Sequence, residues 1–340
     1  MRHGHRAAAA LGLLMLPCCS QGFSAGVESD ASVVARYSPG GAGAGGAAGN
    51  ETTPFTRSPP PFDAGARGGA GGVATSEHDA GADVGSGGAA ATHGGAGGGP
   101  QKSPCERFDA PAMVAVTTPA GTTFCIDETE ITVGQYAVFL AADPGLELAP
   151  AGVCSWKKTF VPDGAWPLIG KDDYPISLVD WCDAAAYCAF AGKRLCGGAD
   201  GAANPYADYA KPSDEWFYAC SQGNKTSFPY GATFDPSACV GVDYDGISGF
   251  QPVTDAPRAA GSASRCHGAS SPFSLVHDLA GNVAEWENSC NSSGGSADYC
   301  HVRGDSYRQG NESTMVCGSA PRMTRAYRAG YIGFRCCATP

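Results

Sequence analysis

The sequence predicts an α+β domain with little regular secondary structure, held together by disulfide bonds. Of the 16 cysteines, Cys18 and Cys19 lie in the N-terminal part of the chain, and the other fourteen run from Cys105 to Cys337. An even number of cysteines in an exported domain is typical of a disulfide framework, and zinc is the less favoured alternative because no Cys-x-x-Cys pair occurs. Glycine, proline, asparagine and serine interrupt every apolar run in this region, so we expect short helices and strands joined by long loops.

The N-terminal part of the chain has the pattern of a targeting segment. A basic stretch and then an apolar run from Ala7 to Pro17 indicate a signal peptide over residues 1–25. The run is too short to span a bilayer permanently. It ends at Cys18 and Cys19, so we favour a bacterial lipoprotein signal in which one of these cysteines is lipidated. The alternative is cleavage near residues 24–26, which releases a freely secreted protein.

A linker follows the targeting segment. Residues 26–104 are dominated by Gly, Ala, Ser, Pro and Asp and contain few aromatic or branched side chains. Such a segment buries too little apolar surface to offset the entropy of ordering, so we expect it to be disordered. One folded domain is then expected over residues 105–340.

The charge of the chain excludes one class of partner. The formal net charge is -11 at pH 7 and the isoelectric point is about 5.0. Binding to nucleic acid needs clustered Lys and Arg that displace counterions from phosphates, and no such cluster occurs outside the extreme N-terminus. We therefore expect no nucleic-acid partner.

Capping residues predict three helices. A Thr, Ser or Asp side chain placed just before a helical run accepts hydrogen bonds from the first free backbone amides. The predicted helices are residues 133–142 after a Thr132–Gln135 capping box, residues 181–191 after Asp180, and a short helix opened by residues 213–215.

Seven segments, in this order along the chain, carry a family resemblance. They are Phe124–Thr132, Val179–Leu195, Asp214–Cys220, Phe228–Gly231, Asp278–Trp286, Val302–Ser306 and Gly333–Cys336. Together they resemble the formylglycine-generating-enzyme domain, also called the sulfatase-modifying-factor domain. The resemblance implies a loop-rich fold related to C-type lectin-like domains, in which large aromatic side chains anchor the core.

The resemblance implies a calcium site at one of these segments. Its ligands would be the side chains of Asp278 and Glu285 and the carbonyl groups of Gly281 and Val283. Carboxylate and carbonyl oxygens in a turn are the hard ligands that Ca²⁺ prefers. The alternative is a Gly-Asn turn with two solvated acids.

The resemblance also implies a copper centre, and here the sequence departs from the family. Members that oxidise a sulfatase cysteine hold copper(I) with two cysteine thiolates, three and eight residues beyond the serine that corresponds to Ser306. Those positions are Gln309 and Thr314, so copper is not expected. Two further departures are Asp305 in place of a glycine and Ala284 in place of a tryptophan.

Disulfide connectivity cannot be read from sequence alone. The resemblance implies two bridges, Cys188–Cys336 and Cys220–Cys317, which leaves ten cysteines for five more. Local pairs that we consider are Cys182–Cys196, Cys239–Cys266 and Cys290–Cys300.

Two hypotheses for the function remain. In the favoured one, the domain is a calcium-stabilised binding or scaffold module of the bacterial envelope, attached to the membrane only by its lipid anchor. Its ligand would be a protein, peptide or glycan, and the candidate groove residues are Arg303, Ser306, Tyr307, Arg308 and Gln309. In the alternative, the domain is a divergent oxidoreductase that oxidises a protein cysteine or a small periplasmic substrate. A centre built from Cys336 and Cys337 would then require release of Cys336 from its bridge.

Overall fold

The protein is described from a computed structural model, which defines residues 103–108, 111–164 and 166–340. The predicted signal peptide, the lipidation sites Cys18 and Cys19, and nearly all of the predicted linker lie outside the described residues. Within these residues the three α-helices are α1 (Val133–Ala141), α2 (Trp181–Phe190) and α3 (Glu215–Cys220). The eight strands are β1 (Met113–Thr117), β2 (Thr123–Asp127), β3 (Arg194–Leu195), β4 (Ala284–Cys290), β5 (Tyr299–Arg303), β6 (Arg322–Thr324), β7 (Ile332–Gly333) and β8 (Cys336–Ala338).

The strands form two four-stranded sheets. The first has the order β1-β2-β8-β3 and is antiparallel throughout. The second has the order β6-β5-β4-β7, in which only the β4–β7 pair is parallel. The short strands and few helices confirm the predicted α+β class with low regular content.

The helix starts are where the capping residues predict them. The Thr132 hydroxyl accepts from the Gln135 amide, and the Gln135 side chain accepts from the Thr132 amide, which completes the capping box. Asp180 caps α2 and Asp214 caps α3. Helices α1 and α2 end one residue earlier than predicted because the last residue of each predicted range is the C-cap.

A cluster of aromatic rings joins the two long helices to the C-terminal strands. The ring of Tyr136 on α1 lies 5.2 Å from Phe139, 5.7 Å from Tyr187 on α2 and 6.3 Å from Phe334, centroid to centroid. All four side chains are buried. Offset and edge-to-face aromatic pairs of this kind stabilise a core in which regular structure is scarce.

Seven disulfide bonds use all fourteen cysteines from Cys105 to Cys337. They are Cys105–Cys125, Cys154–Cys182, Cys188–Cys336, Cys196–Cys337, Cys220–Cys317, Cys239–Cys266 and Cys290–Cys300. Both bridges implied by the resemblance are present, as are two of the three local pairs considered.

The expected Cys182–Cys196 pair is wrong. Strand β3 pairs with β8 so that Arg194 lies opposite Cys337, and this register brings Cys196, just beyond β3, within bonding reach of Cys337. Cys182 lies in the first turn of α2 and bonds to Cys154 instead. Nearness in sequence therefore misled the pairing, because strand register decides which sulfurs meet.

Candidate functional site

Three buried carboxylates surround one arginine near the centre of the domain. Glu130 precedes the N-cap of α1, Asp278 lies in the loop before β4, and Glu285 is the second residue of β4. Arg335 directly precedes β8. All four side chains are at most 2% exposed, so three acids and one guanidinium share a site away from water.

Glu285 is fully engaged by its neighbours. Arg335 donates from Nε to Oε2 and from Nη2 to Oε1, each over 2.7 Å. The indole nitrogen of Trp216 also donates to Oε2, over 2.8 Å. Both oxygens of this carboxylate therefore have strong partners within the protein.

Asp278 and Glu130 each have one carboxylate oxygen that lacks a partner. Asp278 Oδ2 accepts from the Gly261 amide over 2.6 Å, and Glu130 Oε1 accepts from the Asn282 side chain over 2.9 Å. Asp278 Oδ1 and Glu130 Oε2 are buried without a hydrogen bond from any described residue. Burial raises the pKa of Asp278 to about 6, and burial together with the Asp278 charge raises the pKa of Glu130 well above its usual range.

These two oxygens fit a hard cation. A buried carboxylate oxygen without a donor is costly unless a cation or a proton satisfies it, and Ca²⁺ takes such oxygens. The Glu285 carboxylate fits less well than the sequence predicts, because Arg335 and Trp216 occupy it. Glu130 was not predicted from the sequence, because its segment was assigned to the fold. The signal was present in Asp127, Glu128 and Glu130, three acids that closely follow the apolar run 124–126.

The two backbone positions of the predicted calcium site lie in the turn between Asp278 and β4. Gly281 has a φ of +74°, and a Cβ there would come within 2.4 Å of the Val240 carbonyl oxygen, so only glycine fits. Its amide donates to the Gly304 carbonyl group over 2.8 Å. This contact, and a 3.0 Å hydrogen bond from the Tyr307 amide to the Asn282 carbonyl group, tie the turn to the loop that begins after β5.

Two of the predicted groove residues do not line a groove. Arg303 is 0% exposed and Ser306 1% exposed. The Arg303 guanidinium donates to the carbonyl groups of Tyr209 and Cys317, over 2.9 and 3.2 Å, and lies over the Trp216 ring. Both residues therefore support the loop from beneath, and the expectation that they contact a ligand is corrected.

The next residues of the loop reach the surface and meet side chains from distant segments. The exposed Arg308 guanidinium lies 5.0 Å from the centroid of Phe250 and 5.2 Å from that of Tyr331. The hydroxyl of Tyr331 shares a 2.8 Å hydrogen bond with that of Tyr327. We call the set Phe250, Tyr307, Arg308, Tyr327 and Tyr331 the Arg308 surface. Tyr307 and Arg308 were predicted from the sequence, but the other three aromatic residues were not, because they are remote along the chain.

The two positions that correspond to copper ligands carry groups unsuited to copper(I). Gln309 offers an amide, and its backbone carbonyl accepts from the Thr314 hydroxyl over 3.3 Å. The Asp305 carboxylate accepts from the Ser306 amide over 2.7 Å. Neutral amide and hydroxyl oxygens do not replace a pair of soft thiolates, so these residues do not fit the copper centre.

A thiol centre at Cys336 and Cys337 does not fit either. Both residues are fully buried and bonded to other cysteines, Cys188 and Cys196. Cys196, Cys337 and Glu215 lie close enough to resemble a metal site. However, the two sulfurs are bonded to each other, and the carboxylate accepts from Arg194 and from the Gly197 amide.

A surface cavity of about 670 Å³ lies between the β1–β2 turn and the loop of residues 198–213. Asn204 lines this cavity and donates to Glu287 Oε1 over 2.7 Å, at the edge of a buried group that also includes Asp214 and Arg303. None of the predicted site residues lines the cavity. It is thus separate from the Arg308 surface.

Residues 90–340 match the model of the sulfatase-modifying factor enzyme 1-like domain family. The chain belongs to this family. Formylglycine-generating enzymes from Mus musculus and Bos taurus are each 27% identical to it over 207 residues. These alignments cover 56% of the chain and 50% of each enzyme, so the chain spans about half the length of these relatives.

Three solved structures are similar to this sulfatase-modifying-factor protein. CarF aligns with a TM-score of 0.41 and 23% identity over 68% of the chain and 95% of CarF. Treponema denticola variable protein 1 aligns at 0.40 and 14%, over 67% and 95%. PvdO from Pseudomonas aeruginosa aligns at 0.40 and 18%, over 67% and 92%.

None of the described helices of this sulfatase-modifying-factor protein is long and apolar enough to cross a membrane.

Proposed function

We propose that this member of the sulfatase-modifying-factor family is a binding module of the bacterial envelope that does not form formylglycine. One observation carries the proposal. Gln309 and Thr314 occupy the positions of the copper thiolates, and every cysteine from Cys105 to Cys337 belongs to a disulfide.

The chemistry of cysteine explains why this observation supports the proposal. A thiolate is the nucleophile and the soft metal ligand, and a sulfur already bonded to another sulfur supplies neither role. The domain therefore keeps the family scaffold without the groups that hold copper. At the loop where the family holds copper, the domain has the Arg308 surface. This surface carries an arginine and several aromatic rings, the residue types that dominate binding energy at protein interfaces.

Calcium binding at Asp278 and Glu130 is part of the proposal. The support is the pair of buried oxygens without partners and the excess of three carboxylates over one guanidinium. When bound, the ion would satisfy these oxygens and hold the turn before β4 against the segment that precedes α1. The chain's own contribution is to bring both acids together and to direct Arg335 to Glu285.

Export to an oxidising compartment is also part of the proposal. Seven disulfides in one domain are typical of secreted and envelope proteins. A lipid on Cys18 or Cys19 would then tether the domain to the membrane through the linker. The alternative of an oxidoreductase is supported by membership of the family and by similarity to formylglycine-generating enzymes.

A thiol count combined with an oxidation assay tests the proposal. For the thiol count, the unreduced protein is denatured and labelled with a maleimide, and its mass is measured by mass spectrometry. For the oxidation assay, the native protein is supplied with Cu(I), oxygen and a cysteine-containing peptide. We expect no labelled cysteine in the domain and no aldehyde in the peptide. Two labelled cysteines together with aldehyde formation would establish the oxidoreductase instead. The variant Q309C/T314C is the matched control and should show two labelled cysteines.

A further inference from the structure

We propose that the Arg308 surface binds an acidic segment of a partner protein, with Arg308 pairing to a carboxylate and the surrounding rings contacting an adjacent apolar side chain. This inference rests on the proposed function as a binding module and names the chemistry of its ligand.

The position of the Arg308 guanidinium prepares it for a carboxylate. It lies against both Phe250 and Tyr331, at 5.0 and 5.2 Å from their centroids. Aromatic contacts of this kind restrict the guanidinium and leave the N–H groups at its edge available, and those groups match a carboxylate in pairs. An ordered side chain loses less entropy when it pairs with a ligand.

The charge of Arg308 is not neutralised within the described part of the chain. Six arginines there form ion pairs with acids, namely Arg194, Arg265, Arg303, Arg325, Arg328 and Arg335. No acid of the described residues pairs with Arg308. An exposed arginine without an acidic partner is available to an external carboxylate.

A loop with exposed apolar side chains lies beside this arginine. Ile247 is 51% exposed, Phe250 37% and Val253 94%. Exposed apolar side chains in a group indicate an interaction site, whereas single ones are ordinary. They favour a protein ligand over a glycan, because a peptide supplies apolar side chains and a sugar presents mainly hydroxyl groups.

The acids of the same loop stabilise its backbone. Asp243 Oδ1 accepts from the Gly249 amide over 2.8 Å, and Asp255 Oδ2 accepts from the Gln251 amide over 2.6 Å. These hydrogen bonds order the loop that presents Phe250. The loop is therefore largely formed before a ligand arrives.

Fluorescence anisotropy with defined peptides tests the inference on the full chain. The probe is a fluorescein-labelled peptide in which glutamate alternates with leucine, and its comparison peptide has glutamine in place of every glutamate. We expect the glutamate peptide to bind more tightly than the glutamine peptide. Its affinity should fall as the salt concentration rises, because salt screens the charges. R308A should weaken it by about tenfold or more, and R308K by less, because lysine keeps the charge without the planar fork.

Arg322 provides a matched control. It is exposed, lies 5.3 Å from the centroid of the Tyr299 ring, and forms no ion pair with a described acid. R322A makes the same change in charge and removes a similar aromatic contact, so we expect unchanged binding. Thermal melts of each variant verify that the fold is intact.

Several results would overturn the inference. They are failure of both peptides to bind, equal affinity of the glutamate and glutamine peptides, equal effects of R308A and R322A, or binding of uncharged oligosaccharides that R308A abolishes. Binding that is independent of Arg308 removes the inference but leaves the binding module. Aldehyde formation in the oxidation assay removes the proposed function itself.

Discussion

Arg335 and Glu285 form a two-pronged ion pair in the interior of the domain, with Nε 2.7 Å from Oε2 and Nη2 2.7 Å from Oε1. The pair joins the residue before β8 to strand β4, so it links the two sheets. It also assigns the single guanidinium of the site to one carboxylate. Asp278 and Glu130 consequently depend on another cation or on a proton.

Substitution of one partner of this ion pair is expected to lower the free energy of unfolding strongly. R335M leaves three buried carboxylates without their guanidinium, and removing one member of a buried pair costs about 3–5 kcal/mol. The double variant E285Q/R335M should lose less free energy of unfolding than the two single variants lose together, because it leaves no uncompensated Glu285 charge. Urea unfolding measures these differences. R265A, which breaks the exposed pair with Asp235, should change the free energy of unfolding by less than about 1 kcal/mol.

Calcium is expected to stabilise the domain through Glu130 and Asp278. At a free concentration about one hundred times its Kd, a ligand of the folded state stabilises it by about 3 kcal/mol. The melting temperature should therefore rise with calcium and fall with EGTA, and E130Q and D278N should each abolish the response. E128Q alters a half-buried acid two residues before Glu130, and this variant should keep the response to calcium. A melting temperature that changes with neither calcium nor EGTA would contradict the calcium site.

The two bridges to the adjacent cysteines of β8 should not act independently. Cys188–Cys336 and Cys196–Cys337 have sequence separations of 148 and 141 residues. While either bridge is present, the other closes only a small ring of about nine residues, which is worth about 3 kcal/mol on the chain-entropy model. Once both are absent, a long loop opens at a further cost of about 5 kcal/mol.

Guanidinium unfolding of three serine variants checks this coupling. The loss in the quadruple variant should exceed the sum of the losses in C188S/C336S and C196S/C337S. Additive losses would show that the two bridges restrict the unfolded chain separately.

The stability of the domain is expected to fall with rising pH because of Glu215. Burial raises its pKa from 4.5 to about 7, although Arg194 and the Gly197 amide favour the charged form. Because the folded-state pKa is the higher one, the folded state binds more protons between these values. The stabilisation is then complete below about pH 4.5 and is lost as the pH rises through about 7, by about 3 kcal/mol in all.

Denaturant unfolding across this range tests the expectation. E215Q should flatten the decline, whatever its effect at a single pH. D235N should leave the slope unchanged, because the exposed Asp235 carboxyl has a lowered pKa and titrates below this range. An E215Q slope equal to that of the parent protein would assign the pH dependence to other groups.

The left-handed backbone at Asp305 is expected to favour glycine over alanine as a replacement. Its φ is +56°, a conformation that costs a residue with a Cβ about 1 kcal/mol or more relative to glycine. Both D305G and D305A lose the carboxylate that accepts from the Ser306 amide. D305A should therefore be less stable than D305G by about 1 kcal/mol in urea unfolding. Equal stability of the two would mean that the left-handed backbone is not required.

The sequence by itself determined the features that depend on neighbouring residues and on order along the chain. The caps at Thr132, Asp180 and Asp214 act through amides a few residues away, so each helix start could be read directly. The ordered motifs were sufficient to identify the family, and the even number of cysteines indicated a complete disulfide framework.

The tertiary structure decided which distant side chains meet. Strand register placed Cys196 beside Cys337, and burial removed Arg303 from the surface. Packing also brought Glu130 into the acidic cluster with Asp278, and Phe250 against Arg308. These contacts join residues far apart along the chain, and their energies depend on desolvation and register that no local pattern encodes.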